Sequence, residues 1–529
     1  MPASGADYKR RSQNASASAT PSAPPSFRHG GFPHRRPGRL NLDGHDFVTP
    51  LSRLKTVADA ALESVGAALD ATPLSHRRHR IAVTGLQRSG KTVFITAFAH
   101  ALMTAARAPM AAFPFFPWRE HVRSVELLEI PGVPRFPFEE RLAQLLGETP
   151  AWPAPTTGLS GLRVRIRHDD VGLLRSVVSS TVTTDLDLID YPGEWLLDLP
   201  MLTQSFRDWS RQMEELAHSA GRRDLAQPWL DAVRGLDADA PENQAELTRI
   251  AGLYRDYLVR CRQERGLCFV QPGRYAIPGD ATTLDPHALF FPLSTVRQGL
   301  GSAVGSRLGA AKRGTMGAAL LRRHAAYLKQ VRQFYGDVFG RLGKQVLLVD
   351  LLSALQQGRE PFADLGLAIR SISDAFEELK HPLLKLLPMA KVERLALVAT
   401  KADHVTADQH ANLVNLLRDM VGEPFLLATA RQSGLLAVAS VKATTDLKLK
   451  VNDLATPFLR GIPAGRAEVL DIQPGVIPGT IPAADQWDET GFNIRRFEPP
   501  RLGPGFADRP LPHVNLDKVL QFLLARTGP

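Results

Sequence analysis

The chain has 529 residues, of which 44% are hydrophobic and 22% charged, and a net charge of +10. A length of this order calls for two or more packed units, and the composition is that of an ordinary globular protein, which excludes a chain disordered throughout. The charge is uneven: in the first forty residues Lys9, Arg10, Arg11, Arg28, Arg35, Arg36 and Arg39 face only Asp7, so most of the excess belongs to a tail.

In chain order, residues 1–45 are Ser, Ala, Pro and Arg rich and cannot bury enough apolar surface to fold. From Leu51 to Leu69 apolar residues return every three or four positions, predicting an amphipathic helix that ends before Pro73. The basic knot His76 to Arg80 follows. No aromatic residues interleave with it as a base-stacking surface needs, so nucleic acid is disfavoured against a solvated or membrane-surface role.

Arg80 to Thr84 then reads as a short strand, and Lys91 onward as a helix. The apolar region Val93 to Trp118 is broken by His100, Arg107, Pro109, Pro114 and Pro117 and fails as a membrane span. Strands are predicted at Val122 to Ile130, Leu162 to His168 and Thr183 to Asp190, with a mainly helical stretch after Trp195. Within it the two cysteines, Cys261 and Cys268, match no metal spacing and read as reduced thiols of a cytosolic protein. Strands resume at Gln345 to Asp350, Arg394 to Thr400 and Leu435 to Ser440, and a last helix is predicted near Leu516 to Arg526. The expected organisation is a tail (1–45), an α/β domain in two parts (46–195 and 344–450) interrupted by a helical insertion (196–343), and a Pro and Gly rich extension (451–529).

Gly85-Leu86-Gln87-Arg88-Ser89-Gly90-Lys91-Thr92 has both glycines, the lysine and the hydroxyl of a phosphate loop, and lies between a predicted strand and a predicted helix. Its glycines let backbone N–H groups turn inward around phosphates, and the helix that follows adds its positive end. Lys91 is placed to reach the β and γ phosphates and Thr92 to ligate Mg2+. Gly85, Gln87, Arg88, Ser89, Gly90, Lys91, Thr92 and Val93 are the expected phosphate-side contacts.

Further on, Asp190-Tyr191-Pro192-Gly193 closes an apolar strand with a carboxylate and places a glycine three residues later. Asp190 can hold Mg2+ through water, and the Gly193 N–H can sense a γ-phosphate. Thr400-Lys401-Ala402-Asp403 ends a later strand, and a carboxylate at Asp403 can accept both N1–H and the N2 amino group of guanine, an arrangement adenine lacks. Ser440-Val441-Lys442 ends another strand, where backbone N–H groups can receive guanine O6. An ATP-dependent small-molecule kinase is disfavoured by Thr400 to Asp403.

These four motifs occur in the order and strand-end positions of Ras-type GTPases. More closely, the runs Asp190 to Pro200, Thr400 to Asn412 and Ala439 to Thr445 resemble the bacterial YcjX family over nearly everything beyond the tail. The resemblance implies a Ras-type P-loop NTPase fold, α/β with a mostly parallel sheet flanked by helices and a large helical insertion. It also implies GTP or GDP with Mg2+ as cofactors, a stress-associated role, and a cytoplasmic protein working beside an inner-membrane partner.

Ras-type proteins place a glutamine after the Asp-x-x-Gly glycine, whereas Glu194 stands here. A carboxylate can orient water but adds negative charge beside a negative transition state, so slow or partner-assisted turnover is expected, with Lys91, Gly193 and Glu194 as the catalytic set. A non-hydrolysing nucleotide-bound scaffold is the alternative. Thr156 or Thr157 fits the switch threonine, and Arg274, Arg322 and Arg323 are insert arginines that could neutralise charge, although a solvated or ion-paired role is preferred for each. Trp195, Trp209 and Trp229 read as core packing.

Overall fold

The computed structural model describes residues 76–86, 88–104, 122–154, 158–169, 181–277, 288–295, 312–337, 343–378, 392–422, 430–487 and 492–524. The predicted helix Leu51 to Leu69, Gln87, Thr156 and Thr157 lie outside them.

A seven-stranded sheet has the order β2-β3-β4-β1-β5-β6-β7. Its strands are β1 (His76–Gly85), β2 (Val122–Leu128), β3 (Ser160–Asp169), β4 (Thr181–Asp190), β5 (Lys344–Val349), β6 (Val392–Thr400) and β7 (Ala430–Val438). β4, β1, β5, β6 and β7 run parallel, while β2 and β3 add an antiparallel flank. Helices lie on it, so this is the mainly parallel α/β architecture of P-loop NTPases.

Side chains alternate across the central strands, and both faces are covered. Ile81 and Val83 of β1 pack with Leu186, Leu188, Val346 and Leu348 against Phe94 and Phe98 of α1 (Lys91–Thr104). Leu511, Leu516, Val519, Leu520 and Leu523, from the C-terminal segment, join the same cluster. Ala82, Ile189, Leu347, Val349 and Leu397 face the other way, into one apolar cluster shared with the insert between β4 and β5.

That insert holds α3 (Phe206–Ala217), α4 (Arg223–Arg234), α5 (Gln244–Arg265) and α6 (Met316–Asp337), after α2 (Phe138–Leu146) of the sheet region. Past the insert, α7 (Leu351–Gln357) and α8 (Arg359–Glu378) connect β5 to β6, and α9 (His410–Val421) connects β6 to β7. Ser205 caps α3 by accepting from Asp208 N–H and Asn243 caps α5 by accepting from Glu246 N–H, while Gly266 ends α5 at φ +68°. Trp209 and Trp229 are fully buried and pack on Tyr254 and Tyr257. Burial pushes the Cys261 thiol up to about 11 and the Cys268 thiol up to about 12, and neither forms a disulfide.

β1 begins at His76, earlier than the sequence reading placed it. The basic knot is strand because two carboxylates of β4 neutralise it. Asp187 accepts from Arg78 at 2.7 Å and from Arg163 at 2.6 Å, and Asp185 from Arg165 at 2.8 Å and His76 at 3.0 Å. Burial alone pushes the Asp185 carboxyl up, but these donors hold it below the usual carboxylate range.

Beyond residue 445 the chain forms a second, three-stranded antiparallel sheet, β8 (Thr445–Val451), β9 (Leu454–Gly461) and β10 (Leu470–Ile472). Asn452 and Asp453, at φ +49° and +63°, make the two-residue turn between β8 and β9. The C-terminal segment then crosses back to the main sheet, where Val514 and Ala439 exchange backbone hydrogen bonds at 2.8 and 3.1 Å, and ends in α10 (Leu516–Leu524).

Candidate nucleotide site

The phosphate loop joins β1 to α1 at the carboxyl edge of the parallel strands. Arg88 and Gly90 take φ of +62° and +82°, the turn that aims successive N–H groups inward. Gly85 admits no side chain, since a Cβ there would lie 2.3 Å from Ser89 Oγ and 2.7 Å from the Leu348 carbonyl oxygen. Thr92 is buried in the first turn of α1, whose leading N–H groups have no partner within the helix.

β1 and β4 pair with Val83 opposite Asp190, which brings the second motif onto the loop. Lys91 Nζ lies 2.9 Å from Asp190 Oδ1 and donates to the Tyr191 carbonyl at 3.0 Å. Gly193 rests its α-carbon on the loop itself: a Cβ there would lie 2.4 Å from the Gly85 carbonyl oxygen and 2.9 Å from Leu86 N. Lys91, Asp190 and Gly193 thus converge on the loop, with Thr92 next to Lys91 in the first turn of α1. The set fits a magnesium polyphosphate: a hydroxyl and a carboxylate for the metal, an ammonium and a helix N-terminus for the anion.

Glu194, the next residue, lies in the first turn of a 3₁₀ run (Gly193–Leu202) gripped by the insert. Its carboxylate accepts from Arg262 Nη2 at 2.6 Å, and Arg262 Nη1 donates to the Ala276 carbonyl at 2.6 Å. Gly273 lies against the Glu194 carbonyl, where a Cβ would come within 2.1 Å. Arg274 stacks its guanidinium 4.4 Å from the centre of the Trp195 ring. Asp198 accepts from Gly273 N–H and Tyr327 Oη, each at 2.6 Å. Burial pushes its carboxyl up to about 6 against those donors.

On the base side Lys401 adopts φ +60° and donates to Asp350 Oδ2 and, at 3.3 Å, to Ser353 Oγ. Burial alone would raise the Asp350 carboxyl, but the Lys401 charge and the Ser353 hydrogen bonds hold it below the usual range. Asp403 is buried, and its Oδ2 accepts from Ala443 N–H at 2.7 Å while Thr444 Oγ1 donates to its carbonyl. Thr400 Oγ1 donates to the Val349 carbonyl at 3.3 Å. Of the Ser440 to Lys442 loop, Val441 is buried and Lys442 N–H donates to the Pro512 carbonyl at 2.7 Å.

A cavity lined by Leu86 and Arg88 of the phosphate loop, Asp350 and Ser353 of the base side and Arg262 of the insert links the three regions. Two of the insert arginines singled out from sequence are engaged elsewhere. Arg322 pairs with Glu242 at 2.7 Å, and Arg323 binds the Leu289 carbonyl at 2.7 Å and Gln244 at 2.5 Å. Arg262 and Asp350 are the residues that sequence reasoning missed. Arg262 follows Leu258 by one helical turn on the buried side of α5, a signal that an ionic partner waits inside.

Residues 79–527 match the protein family described as "YcjX-like family, DUF463". The chain is similar to a protein of Escherichia coli named "Ras-like GTPase YcjX", at 38% identity over 85% of this chain and 95% of that protein. It is also similar to one of the same name from Shewanella oneidensis, at 31% identity over 85% of this chain and 96% of that protein.

Proposed function

Because the chain belongs to the YcjX-like family, and its relatives carry the name Ras-like GTPase, we propose that it binds GTP and GDP with Mg2+ and works as a slow GTP-hydrolysing switch. The observation that carries this reading is the convergence of Lys91, Asp190 and Gly193 on the glycine-bounded loop. Lys91 exchanges its pairing with Asp190 for phosphate oxygens, while Thr92 and Asp190 hold the metal, which supplies charge neutralisation when bound. The N–H of Gly193 reports the γ-phosphate, Glu194 orients water, and Thr156 or Thr157 completes the switch. Asp403, with Thr400 and Lys401 beside it and Ser440, Val441 and Lys442 opposite, selects guanine.

Since the segment after Gly193 is held at Glu194, Trp195 and Asp198 by residues of the insert, any shift at Gly193 passes directly into the helical layer. The stress-associated role beside an inner-membrane partner belongs to the same proposal and is supported by the family resemblance. Among the described residues no helix is long and apolar enough to cross a membrane.

One observation favours a second reading, a nucleotide-bound scaffold without appreciable turnover: the Glu194 carboxylate is buried in an ion pair. Calorimetric titration with GTP, GDP and ATP in magnesium buffer, followed by single-turnover hydrolysis, tests both. Saturable GTP binding with phosphate release supports the switch, binding without release supports the scaffold, and no binding of any nucleotide ends both.

A further inference from the structure

The proposed GTPase has an electrostatic difficulty at Glu194. A carboxylate next to the transferring phosphoryl group repels the charge that develops there, and in a site shielded from water that repulsion is not screened. Its neighbours supply an answer that comes from far along the sequence. Arg262, on the last turn of α5, is buried in the protein and sets Nη2 2.6 Å from Glu194 Oε1. Its other terminal nitrogen is tied to the Ala276 carbonyl, so the guanidinium plane is fixed at both ends. The same side chain lines the cavity that reaches Leu86 and Arg88 of the phosphate loop.

We propose that Arg262 is a positioning residue for the reaction: the insert lends it to the site, where it neutralises Glu194 and holds one carboxylate oxygen so that the other can orient the attacking water. The inference rests on the GTPase reading above. It assigns the charge compensation to this arginine rather than to Arg322 or Arg323, whose guanidinium groups are spent inside the insert. Arg274 is directed instead at the Trp195 ring, one residue past the carboxylate. A guanidinium suits the task because its charge is permanent and its planar fork can serve a carboxylate and a carbonyl at once.

The test uses the full chain and the variants Arg262→Ala, Arg262→Lys, Glu194→Gln and the double variant Glu194→Gln/Arg262→Ala, with GTP affinity by calorimetry and single-turnover hydrolysis measured on each. Arg262→Ala is expected to keep GTP affinity within about threefold while slowing hydrolysis at least about tenfold, because the orientation and charge compensation of Glu194 are lost while the residues assigned to phosphate and base are untouched. Arg262→Lys should recover part of the rate. In the Glu194→Gln background removal of Arg262 should change the rate little, since a neutral amide needs no counter-charge. Equal rates for parent and Arg262→Ala overturn the proposal, as does the same fold-loss in the parent and Glu194→Gln backgrounds, which marks a general effect on the fold. A parent that binds GTP without turnover also overturns it, and a parent that binds no nucleotide overturns the functional reading beneath it.

Discussion

Lys91 and Asp190, almost a hundred residues apart in sequence, neutralise each other at 2.9 Å across the phosphate loop, with the aspartate fully buried and the lysine nearly so. In the proposed function the ammonium assigned to a phosphate is thus held in place beforehand by the carboxylate assigned to the metal. Lys91→Ala removes the cation and leaves Asp190 buried without it. GTP affinity should fall at least about a hundredfold, and the unfolding free energy should fall by about 3–5 kcal/mol, the usual cost of removing one member of a buried pair. Calorimetry and denaturant melts check the two effects separately, and undiminished GTP affinity would contradict the phosphate-loop assignment.

Asp403 offers the test of base choice. Its carboxylate is anchored by the Ala443 N–H at 2.7 Å, and an asparagine at this position can keep that bond through its carbonyl oxygen. Its amide then donates where guanine also donates, but suits the C2 carbonyl of xanthine. Asp403→Asn should favour xanthosine triphosphate over GTP by about tenfold or more relative to the parent. Competition binding with the two nucleotides measures the ratio, and an unchanged preference for GTP would exclude Asp403 from the base pocket.

At Gly193 the constraint is steric. A methyl group there would meet the Gly85 carbonyl oxygen at 2.4 Å, and because that atom is backbone the two segments have to part. Gly193→Ala should cost about 1–3 kcal/mol of stability from overpacking and, on the proposed sensing role, bring the GTP and GDP affinities together, since the N–H assigned to distinguish them is moved away. The affinity ratio and Trp195 fluorescence on nucleotide addition are the readouts, and a preserved ratio would free Gly193 from the sensing role.

Asp198 makes stability depend on pH. Its carboxyl is raised from 3.8 to about 6, mainly by burial, so the folded state holds the proton more tightly than the unfolded chain. Its favourable contribution is complete below pH 3.8 and disappears as pH rises through 6, a change of about 3 kcal/mol. Asp198→Asn, which has no charge to desolvate, should gain on the parent in guanidinium midpoint as pH rises across that window. A difference between the two chains that stays constant over it would show that Asp198 is ionised throughout.

The phosphate loop and the Asp190 and Asp403 motifs were legible because each depends on a short spacing at a strand end. β5 and β6 were legible as apolar runs buried on both faces, and β2, β3 and β4 by the alternation of apolar with polar residues. The start of β1 was less so: His76 to Arg80 reads as a surface knot until Asp185 and Asp187 of β4 stand beside it. α2 passed unnoticed and α4 was not separated within the stretch read as mainly helical; the β8–β9 hairpin was also missed, although Asn452-Asp453 between alternating runs is a hairpin signal. The Arg262 contact with Glu194 spans 68 residues, so although its place on the buried side of α5 marks it as turning inward, no local pattern names the partner it meets.

The C-terminal segment has a consequence for the order of synthesis. His100 of α1 binds the carbonyls of Phe506 and Arg509, and Lys442 and Ala439 in the base-side loop bond to Pro512 and Val514. All four carbonyl groups leave the ribosome after every other part of the pocket has been made. A nascent chain that has already exposed its phosphate loop therefore lacks the brace on its base-side wall until residues 506–514 have been made and folded back.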